Sequence, residues 1–341
     1  MAGRPQPGPT RGRVWAVLLP VVAVLVAGGC AGGDQTPKGP MTWTGARALT
    51  GTEDAPHGVA TDGARVLFTT GRTMVGENAV RSVALDGDTA SVVVATMPAG
   101  RIPNGLMALD GDVAYVAAGS GIVRLPLAGG DATVVVDGRP AGVEDVVVAG
   151  DALWWTTSQY LAPKRIEIAR MPKAGGAVEA VATGVAASLG DPYVEGDSAL
   201  VASPQGVLRV RAGSAPEVVV SSDVAGGAVT ALAVDDQRLY LLVAGSRHRL
   251  LAVPRGGGAP TVLAPDVDST ASVVVVGDQV VFFGPSGPVG SGRATLQAVA
   301  GAGGTPRTIA AGRYSDGDLA AVGTDRVVFS ADDRVWVAEV T

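Results

Sequence analysis

The chain has 341 residues and a formal net charge of −6. A mildly acidic net charge argues against nucleic acid as a partner and against binding of anionic lipid through a basic patch. Cys30 is the single cysteine, so the chain forms no internal disulfide.

The first predicted element is a secretory signal peptide over residues 1–29. It starts with three arginines and no acidic residue, continues with an apolar run over residues 14–27, and ends in small residues before Cys30. The run is too short to cross a hydrocarbon core of about 30 Å as a helix. Removal of the signal peptide takes three positive charges away, so the net charge becomes −6 − 3 = −9.

The end of this segment, LVAGGC, resembles the lipobox of bacterial lipoproteins, with Ala27 where Leu is usual. The resemblance implies cleavage after Gly29, diacylglycerol on the sulfur of Cys30, and attachment to a membrane through that lipid. The protein would then be exported and would face the periplasm or the cell surface. The alternative is an idle thiol in a signal peptide cleaved elsewhere. Residues 30–42 are rich in Gly and Pro and are predicted to form a flexible tether.

The rest of the chain, residues 43–341, is built from an internal repeat. Units that start at Gly111, Gly150 and Asp235 each show an Asp/Gly turn, a strand with an aromatic residue, a loop, a second strand, a Gly-rich turn and a Val-rich strand. The intervals between the aromatic positions are 47, 39, 46, 40, 42 and 47 residues, a length typical of propeller blades. These positions are Phe68, Tyr115, Trp154, Leu200 (apolar instead), Tyr240, Phe282 and Phe329.

These units predict an all-β, seven-bladed β-propeller of four-stranded antiparallel blades, with no helix. The last unit stops after its third strand, and residues 46–50 resemble an outer strand. We therefore expect this N-terminal strand to complete the final blade and close the ring. A ring of six or eight blades is the alternative.

The repeat resembles bacterial propellers of the NHL and YWTD types. PHGVATDGARVLFTT, from Pro56 to Thr70, is similar to an NHL blade opening, and LWWTTS followed by IARMPKAGG is similar to a YWTD repeat. The resemblance implies a fold and no particular chemistry, because propellers include receptors, scaffolds and enzymes.

Motifs for catalysis are absent from the sequence. There is no G-x-S-x-G, no H-E-x-x-H, no Cys/His zinc spacing and no Walker loop, so no cofactor is expected. His248 is interpreted as a solvated loop residue. Trp43, Trp154, Trp155 and Tyr160 are candidates for stacking on a sugar or a peptide. Trp154 and Trp155 are adjacent on a strand and point to opposite faces, so at least one of them is expected in the core.

The topology predicts where a site would lie. Connections after the aromatic strand vary most, and they emerge on one face together with the linkers between blades. The candidate ligand-binding residues around the channel mouth on that face are His57, Asn104, Glu144, Asp145, Asp191, Asp316 and Asp318. Five carboxylates there could hold a cation, although Asp is also common in solvated turns, and no metal site is assigned.

Three functions are compatible with this pattern. The first is a monomeric, non-enzymatic binding or assembly scaffold that presents its loop-rich face to a protein, peptide or glycan. The second is an enzyme similar to virginiamycin B lyase, in which His57 and Glu144 would act with a divalent ion. The third is a sensor of a small ligand.

Overall fold

The computed structural model describes residues 42–341 except 54–55, 72–77, 88–89, 139–141, 159–165, 186–191, 268–271, 285–292 and 314–317. The predicted signal peptide, Cys30 and all but the last residue of the predicted tether lie outside the described residues. So do two of the mouth candidates, Asp191 and Asp316, and also Tyr160. In the described part of the chain, no helix is long and apolar enough to cross a membrane.

The described chain enters through β1 (Ala46–Ala48), which belongs to the last blade. Blades 1 to 3 follow as continuous four-stranded antiparallel sheets. Their strands are β2 (His57–Thr61), β3 (Arg65–Thr70), β4 (Ala79–Ala84) and β5 (Val92–Thr96); β6 (Pro103–Asp110), β7 (Val113–Ala118), β8 (Gly121–Pro126) and β9 (Thr133–Val136); and β10 (Gly142–Ala149), β11 (Ala152–Ser158), β12 (Ile166–Pro172) and β13 (Glu179–Val185).

Blades 4 to 6 are built in the same way, and the strands of blade 7 come from both ends of the chain. The strands of blades 4 to 6 are β14 (Tyr193–Glu195), β15 (Ser198–Ser203), β16 (Gly206–Arg211) and β17 (Glu217–Ser221); β18 (Val229–Val234), β19 (Arg238–Val243), β20 (His248–Pro254) and β21 (Thr261–Val267); and β22 (Val273–Val276), β23 (Gln279–Gly284), β24 (Arg293–Ala300) and β25 (Arg307–Arg313). Blade 7 has β26 (Leu319–Val322), β27 (Arg326–Ala331) and β28 (Arg334–Glu339), followed in the sheet by β1.

The predicted closure of the ring is confirmed. β1 pairs with β28 in antiparallel register, with Ala46 opposite Ala338 and Ala48 opposite Trp336. Beyond the strand, the Leu49 N–H donates to the Val335 carbonyl at 2.8 Å. The N-terminal strand thus supplies the outer strand that the C-terminal sequence lacks. The seven-bladed propeller is confirmed with it.

The prediction of no helix is wrong at one place. α1 (Ser222–Ala225) lies in the linker between blades 4 and 5. The Ser221 hydroxyl accepts a hydrogen bond from the Val224 N–H, and Gly226 ends the helix in the left-handed conformation at φ 72°. A single turn is too short to show a helical repeat of apolar residues, so the sequence pattern did not reveal it.

The hydrophobic core lies in the seams, by which we mean the interfaces between neighbouring blades. Trp154 packs in the seam between blades 3 and 4, and Trp155 packs in the seam between blades 2 and 3. Both indole rings are buried, so both belong to the core. Successive strand residues face opposite ways, and each Trp therefore serves a different seam.

The aromatic positions of the repeat do not all face the same neighbour. Phe68 of blade 1 packs against Val328 of blade 7, the preceding blade in the ring. Tyr115 of blade 2 packs in one cluster with Trp155 of the following blade. The aromatic residues of the repeat thus occupy either of two adjacent positions of the second strand. A side chain at one position packs in the seam with the preceding blade, and a side chain at the other packs in the seam with the following blade.

Candidate functional site

The five described mouth candidates lie at one end of the ring. His57 begins β2, Asn104 is the second residue of β6, Glu144 and Asp145 are near the start of β10, and Asp318 immediately precedes β26. These are inner strands, and in several seams they lie against one another around the ring. We call this end, with the connections between second and third strands, the mouth face. The opposite end, with the turns between first and second strands and between third and fourth strands, is the plain face.

Asn104 joins blade 2 to blade 3. Its side-chain amide donates to the Gly119 carbonyl of its own blade at 3.0 Å and to the Val143 carbonyl of β10 at 2.7 Å. An amide nitrogen has two hydrogens, so these two bonds use its whole donor capacity. The nitrogen is therefore committed to the protein backbone.

His57 joins blade 1 to blade 2. Its side chain is buried, with 5% of the residue exposed, and its Nε2 lies 3.4 Å from the Pro103 carbonyl oxygen at the start of β6. A carbonyl oxygen only accepts hydrogen bonds, so this contact requires the hydrogen on Nε2. The His57 carbonyl in turn accepts from the Thr69 hydroxyl at 2.9 Å. The imidazole is held as part of the seam.

Asp318 joins blade 7 to blade 1. Its Oδ2 accepts a hydrogen bond from the Gly58 backbone N–H at 2.7 Å. Its own backbone N–H donates to the Ser330 hydroxyl at 3.3 Å, which holds the residue against β27. A carboxylate that accepts from a buried backbone N–H stabilises the position of the neighbouring strand.

Three of the candidates therefore form a belt of hydrogen bonds that runs from blade 7 through blades 1 and 2 to blade 3. Glu144 is half-buried and Asp145 is buried at the start of the same blade 3 strand. Among the residues that the structure describes, no group of three or more His, Cys, Asp or Glu side chains could hold a metal ion. With Asp191 and Asp316 outside the described residues, a cation at the mouth stays a hypothesis.

The plain face carries a concave region that the sequence did not indicate. A cleft of about 500 Å³ opens at the seam between blades 3 and 4, and blade 3 supplies most of its lining. Its main side chains are those of Ala149, Asp151, Trp154, Arg170 and Glu179. A feature of the repeat at this place is that Arg170 on the third strand lies opposite Trp154 on the second strand. This pairing alone could not show that a cleft lies above the two residues.

Fold and site together define the protein as a seven-bladed β-propeller whose described mouth residues tie its blades to one another. No protein-family model matches the sequence, and no curated protein sequence matches it either.

Solved structures of other propellers are similar to it. Oligogalacturonate lyase in complex with manganese is 13% identical with a TM-score of 0.63, over 89% of this chain and 97% of that one. A catalytically inactive virginiamycin B lyase from Staphylococcus aureus with quinupristin is 12% identical with a TM-score of 0.60, over 88% and 100%. YCF48 bound to D1 peptide is 12% identical with a TM-score of 0.59, over 88% and 97%. Likeness at such identities shows the fold alone.

Proposed function

We propose that the protein is an exported, lipid-anchored binding scaffold that presents its mouth face to a protein, peptide or glycan partner. The observation that carries the proposal is the use of the mouth side chains. His57, Asn104 and Asp318 each bond a backbone group of the adjoining blade, so they hold the rim of the ring in place. A rigid rim that bears variable connections is a common arrangement for recognition.

The lengths of the connections vary more on the mouth face than on the plain face. Residues 71–78, 159–165 and 285–292 join second to third strands there, whereas two residues do so in blades 2, 4 and 7. On the plain face, residues 127–132, 173–178 and 255–260 join third to fourth strands with equal lengths. Longer connections on a rigid frame can vary in sequence without disturbing the core. A propeller bound to a peptide is among the structural neighbours, which makes a peptide partner a natural member of the proposed class.

The lyase alternative is less well supported. It requires His57 as an acid–base residue, and the Nε2 of that imidazole lies against the Pro103 carbonyl in a buried position. A general acid or base must reach the proton that it transfers, and with 5% of the residue exposed and Nε2 against a backbone carbonyl, His57 offers a substrate little access. We therefore favour binding over catalysis.

A photo-crosslinking experiment tests the proposed face. A photoreactive phenylalanine replaces either Gln205, exposed in a mouth-face connection of blade 4, or Gln237, exposed in a plain-face turn of blade 5. After irradiation in cells and purification from membranes, we expect the Gln205 variant to yield a discrete crosslinked partner that the Gln237 variant does not yield. A partner crosslinked through Gln237 alone, or through neither residue, would contradict binding at the mouth face.

The anchor is tested separately at Cys30. We expect Cys30→Ser to accumulate as an uncleaved precursor and to lose labelling by an alkyne-palmitate probe, while the wild-type protein stays with the membrane through salt washes. Normal labelling of the Cys30→Ser protein would rule out the lipid anchor and leave the binding proposal standing.

A further inference from the structure

One position of the repeat carries an ion pair across two of the seams on the plain face. Lys173, the first residue after the third strand of blade 3, donates to Asp110 of blade 2 at 2.6 Å. Arg255, the equivalent residue of blade 5, donates to Glu195 of blade 4. Asp110 and Glu195 are themselves equivalent, since each is the last paired residue of an inner strand. A basic side chain thus reaches back to an acid of the preceding blade.

Four other seams fill the same position without a charge. The equivalent residues Leu85, Leu127 and Val340 are buried in the core clusters of their seams. In blade 6 the equivalent residue is Gly301, and the Tyr240 hydroxyl of blade 5 occupies the space that a side chain there would take. All these residues belong to the described part of the chain.

The seam between blades 3 and 4 differs from all of these. Ala149 stands where blades 2 and 4 have an acid, and Ala212 stands where blades 3 and 5 have a base. Neither methyl group can cross the seam, and the cleft of about 500 Å³ opens here, with Ala149 and Gly196 in its lining. The space that Lys173 and Arg255 take at the adjoining seams is left open.

The charged residues that line the cleft are Asp151, Arg170 and Glu179, with a net charge of −1. Lys173 lies outside the lining but near Asp151, and the hydrogen bond to Asp110, with a smaller contribution from Asp151, raises the pKa of Lys173. Arg170 lies over the Trp154 ring at 5.2 Å and donates to Glu179 at 2.7 Å, so its charge is already engaged on two sides. The Glu179 side chain is 50% exposed, and Asp151 lies exposed in the turn beside the cleft. The lining therefore favours a cation over an anion.

We propose that this cleft binds a basic side chain, lysine or arginine, of a partner protein. The alkyl part would lie on Ala149 and Pro172, and the charged end would meet Asp151 and Glu179, as Lys173 and Arg255 meet acids in the adjoining seams. The proposal names a second surface on the plain face and does not depend on binding at the mouth face.

Two small probes test the charge requirement. Nα-acetyl-lysine N-methylamide supplies the basic side chain, and Nα-acetyl-norleucine N-methylamide supplies a similar alkyl chain without the amine. We expect saturable binding of the lysine probe to the wild-type protein, followed by NMR or calorimetry, and at least about tenfold weaker binding of the norleucine probe. Equal affinities, or no saturable binding of the lysine probe, would overturn the proposal.

Variants locate the binding. Ala149→Asp combined with Ala212→Lys rebuilds in this seam the ion pair that Lys173 and Asp110 form in the preceding one. We expect it to weaken the lysine probe about tenfold or more without lowering the melting temperature.

Asp151→Asn gives an independent check if the double variant folds poorly, and we expect it to weaken the probe several-fold. Its matched control is Asp112→Asn, the equivalent exposed acid of blade 2, which should leave the affinity unchanged. If the double variant and Asp151→Asn both bind the lysine probe as tightly as the wild-type protein does, the probe binds elsewhere and the proposed cleft site is wrong. These probe titrations are separate from crosslinking at Gln205, so either proposal can fail alone.

Discussion

Blade 5 and blade 7 hold their outer strands in place by different means. Blade 5 is one continuous stretch whose outer strand, Thr261–Val267, has 7 residues. The outer strand of blade 7, Ala46–Ala48, has 3 residues and comes from the other end of the chain. Fewer ladder hydrogen bonds are available to hold it, and no turn ties it covalently to its neighbour. Other contacts must stabilise the closing strand.

Trp43 supplies those contacts. Its ring is 3% exposed and meets Phe329 at 4.8 Å and Phe283 at 6.3 Å, both edge to face, in the seam between blades 6 and 7. Its Nε1 donates to Asp332 at 3.1 Å. Thr44 and Ala311 exchange two backbone hydrogen bonds of 2.8 and 2.9 Å, which join the segment to blade 6 as well. Closure of the ring at blade 7 therefore depends on a buried side chain, whereas blade 5 depends on a continuous sheet.

Close backbone contacts support this arrangement. Gly45 adopts φ 83°, and a Cβ there would lie 2.3 Å from the Ile309 carbonyl oxygen. A Cβ on Gly312 would overlap the Trp43 ring, 2.4 Å from its Cδ2. Glycine is therefore required at both positions, because any side chain would separate the closing segment from blade 6.

The largest expected effect comes from removing the closing segment. A chain that starts at Gly51 lacks Trp43 and β1 and leaves the edge of β28 unpaired, whereas a chain that starts at Thr42 keeps them. We expect the shorter chain to lose at least about 5 kcal/mol of unfolding free energy and to aggregate, because an open strand edge pairs with other molecules. Thermal melts and light scattering of the two chains would measure this. Equal melting temperatures would show that closure does not need the segment.

Trp43 alone should account for much of that loss. We expect Trp43→Ala to lower the unfolding free energy by about 3–5 kcal/mol, since it removes a buried indole from the seam. Trp43→Phe keeps an aromatic ring but loses the hydrogen bond to Asp332, so it should cost clearly less. Denaturant melts of both variants would compare them. An alanine variant as stable as the phenylalanine variant would assign the stability to β1 instead.

Blade 5 offers the matching test for a continuous blade. The Tyr240 hydroxyl donates to Asp235 at 2.5 Å, and burial, together with this carboxylate, raises the pKa of Tyr240 to about 12. Tyr240→Phe removes that hydrogen bond and keeps the ring, so we expect a loss of about 1.5–3 kcal/mol, measured by denaturant melts. A loss as large as that of Trp43→Ala would remove the distinction between the two blades.

The smallest effects concern pH, and they have opposite signs in the two blades. Burial would raise the pKa of Asp235, but hydrogen bonds from Tyr240 and from the backbone of Gln237 and Arg238 hold it below its ordinary value of 3.8. Burial raises the pKa of Asp332 above the same value, and the hydrogen bond from Trp43 only partly opposes this. The Asp235 contribution is thus present above pH 3.8 and lost as the pH falls through its lowered pKa, whereas the Asp332 contribution is lost as the pH rises through its raised pKa.

We therefore expect Asp235→Asn to become more destabilising, relative to wild type, as the pH rises from about 3 to 6. Asp332→Asn should become less destabilising, or stabilising, over the same range. Unfolding free energies at several pH values would measure both differences. Parallel curves for the two variants would contradict the opposite shifts.

Much of the fold could be predicted because its signals are local. Asp/Gly turns, Val-rich strands and blade-length intervals each depend on a few neighbouring residues, and the missing outer strand of the last unit indicated where residues 46–50 belong. The direction of the aromatic side chains could not be predicted in the same way. Phe68 and Tyr115 occupy adjacent positions of the second strand, and one residue of offset decides which seam a side chain fills.

The sequence predicted where the described candidate residues lie, but it did not predict their structural role. The topology brought His57, Asn104 and Asp318 to one end of the ring, as expected from the starts of the inner strands. Their hydrogen-bond partners, which include Pro103 and Val143, lie in other blades, and the sequence holds no pattern that pairs them.

By itself, then, the sequence determined the strand periodicity and the turns, and it predicted seven blades and the strand that closes the ring, because each follows from short-range chemistry repeated along the chain. Only the tertiary structure decided that Trp43 is a core residue of a distant seam, that His57, Asn104 and Asp318 bond the backbone of neighbouring blades, and that a cleft opens beside Ala149. The physical reason is that each of these depends on which atoms the closed ring brings together across a seam. Residues 110 and 173 meet only when two neighbouring blades pack together, and residues 43 and 332 meet only when the ring closes.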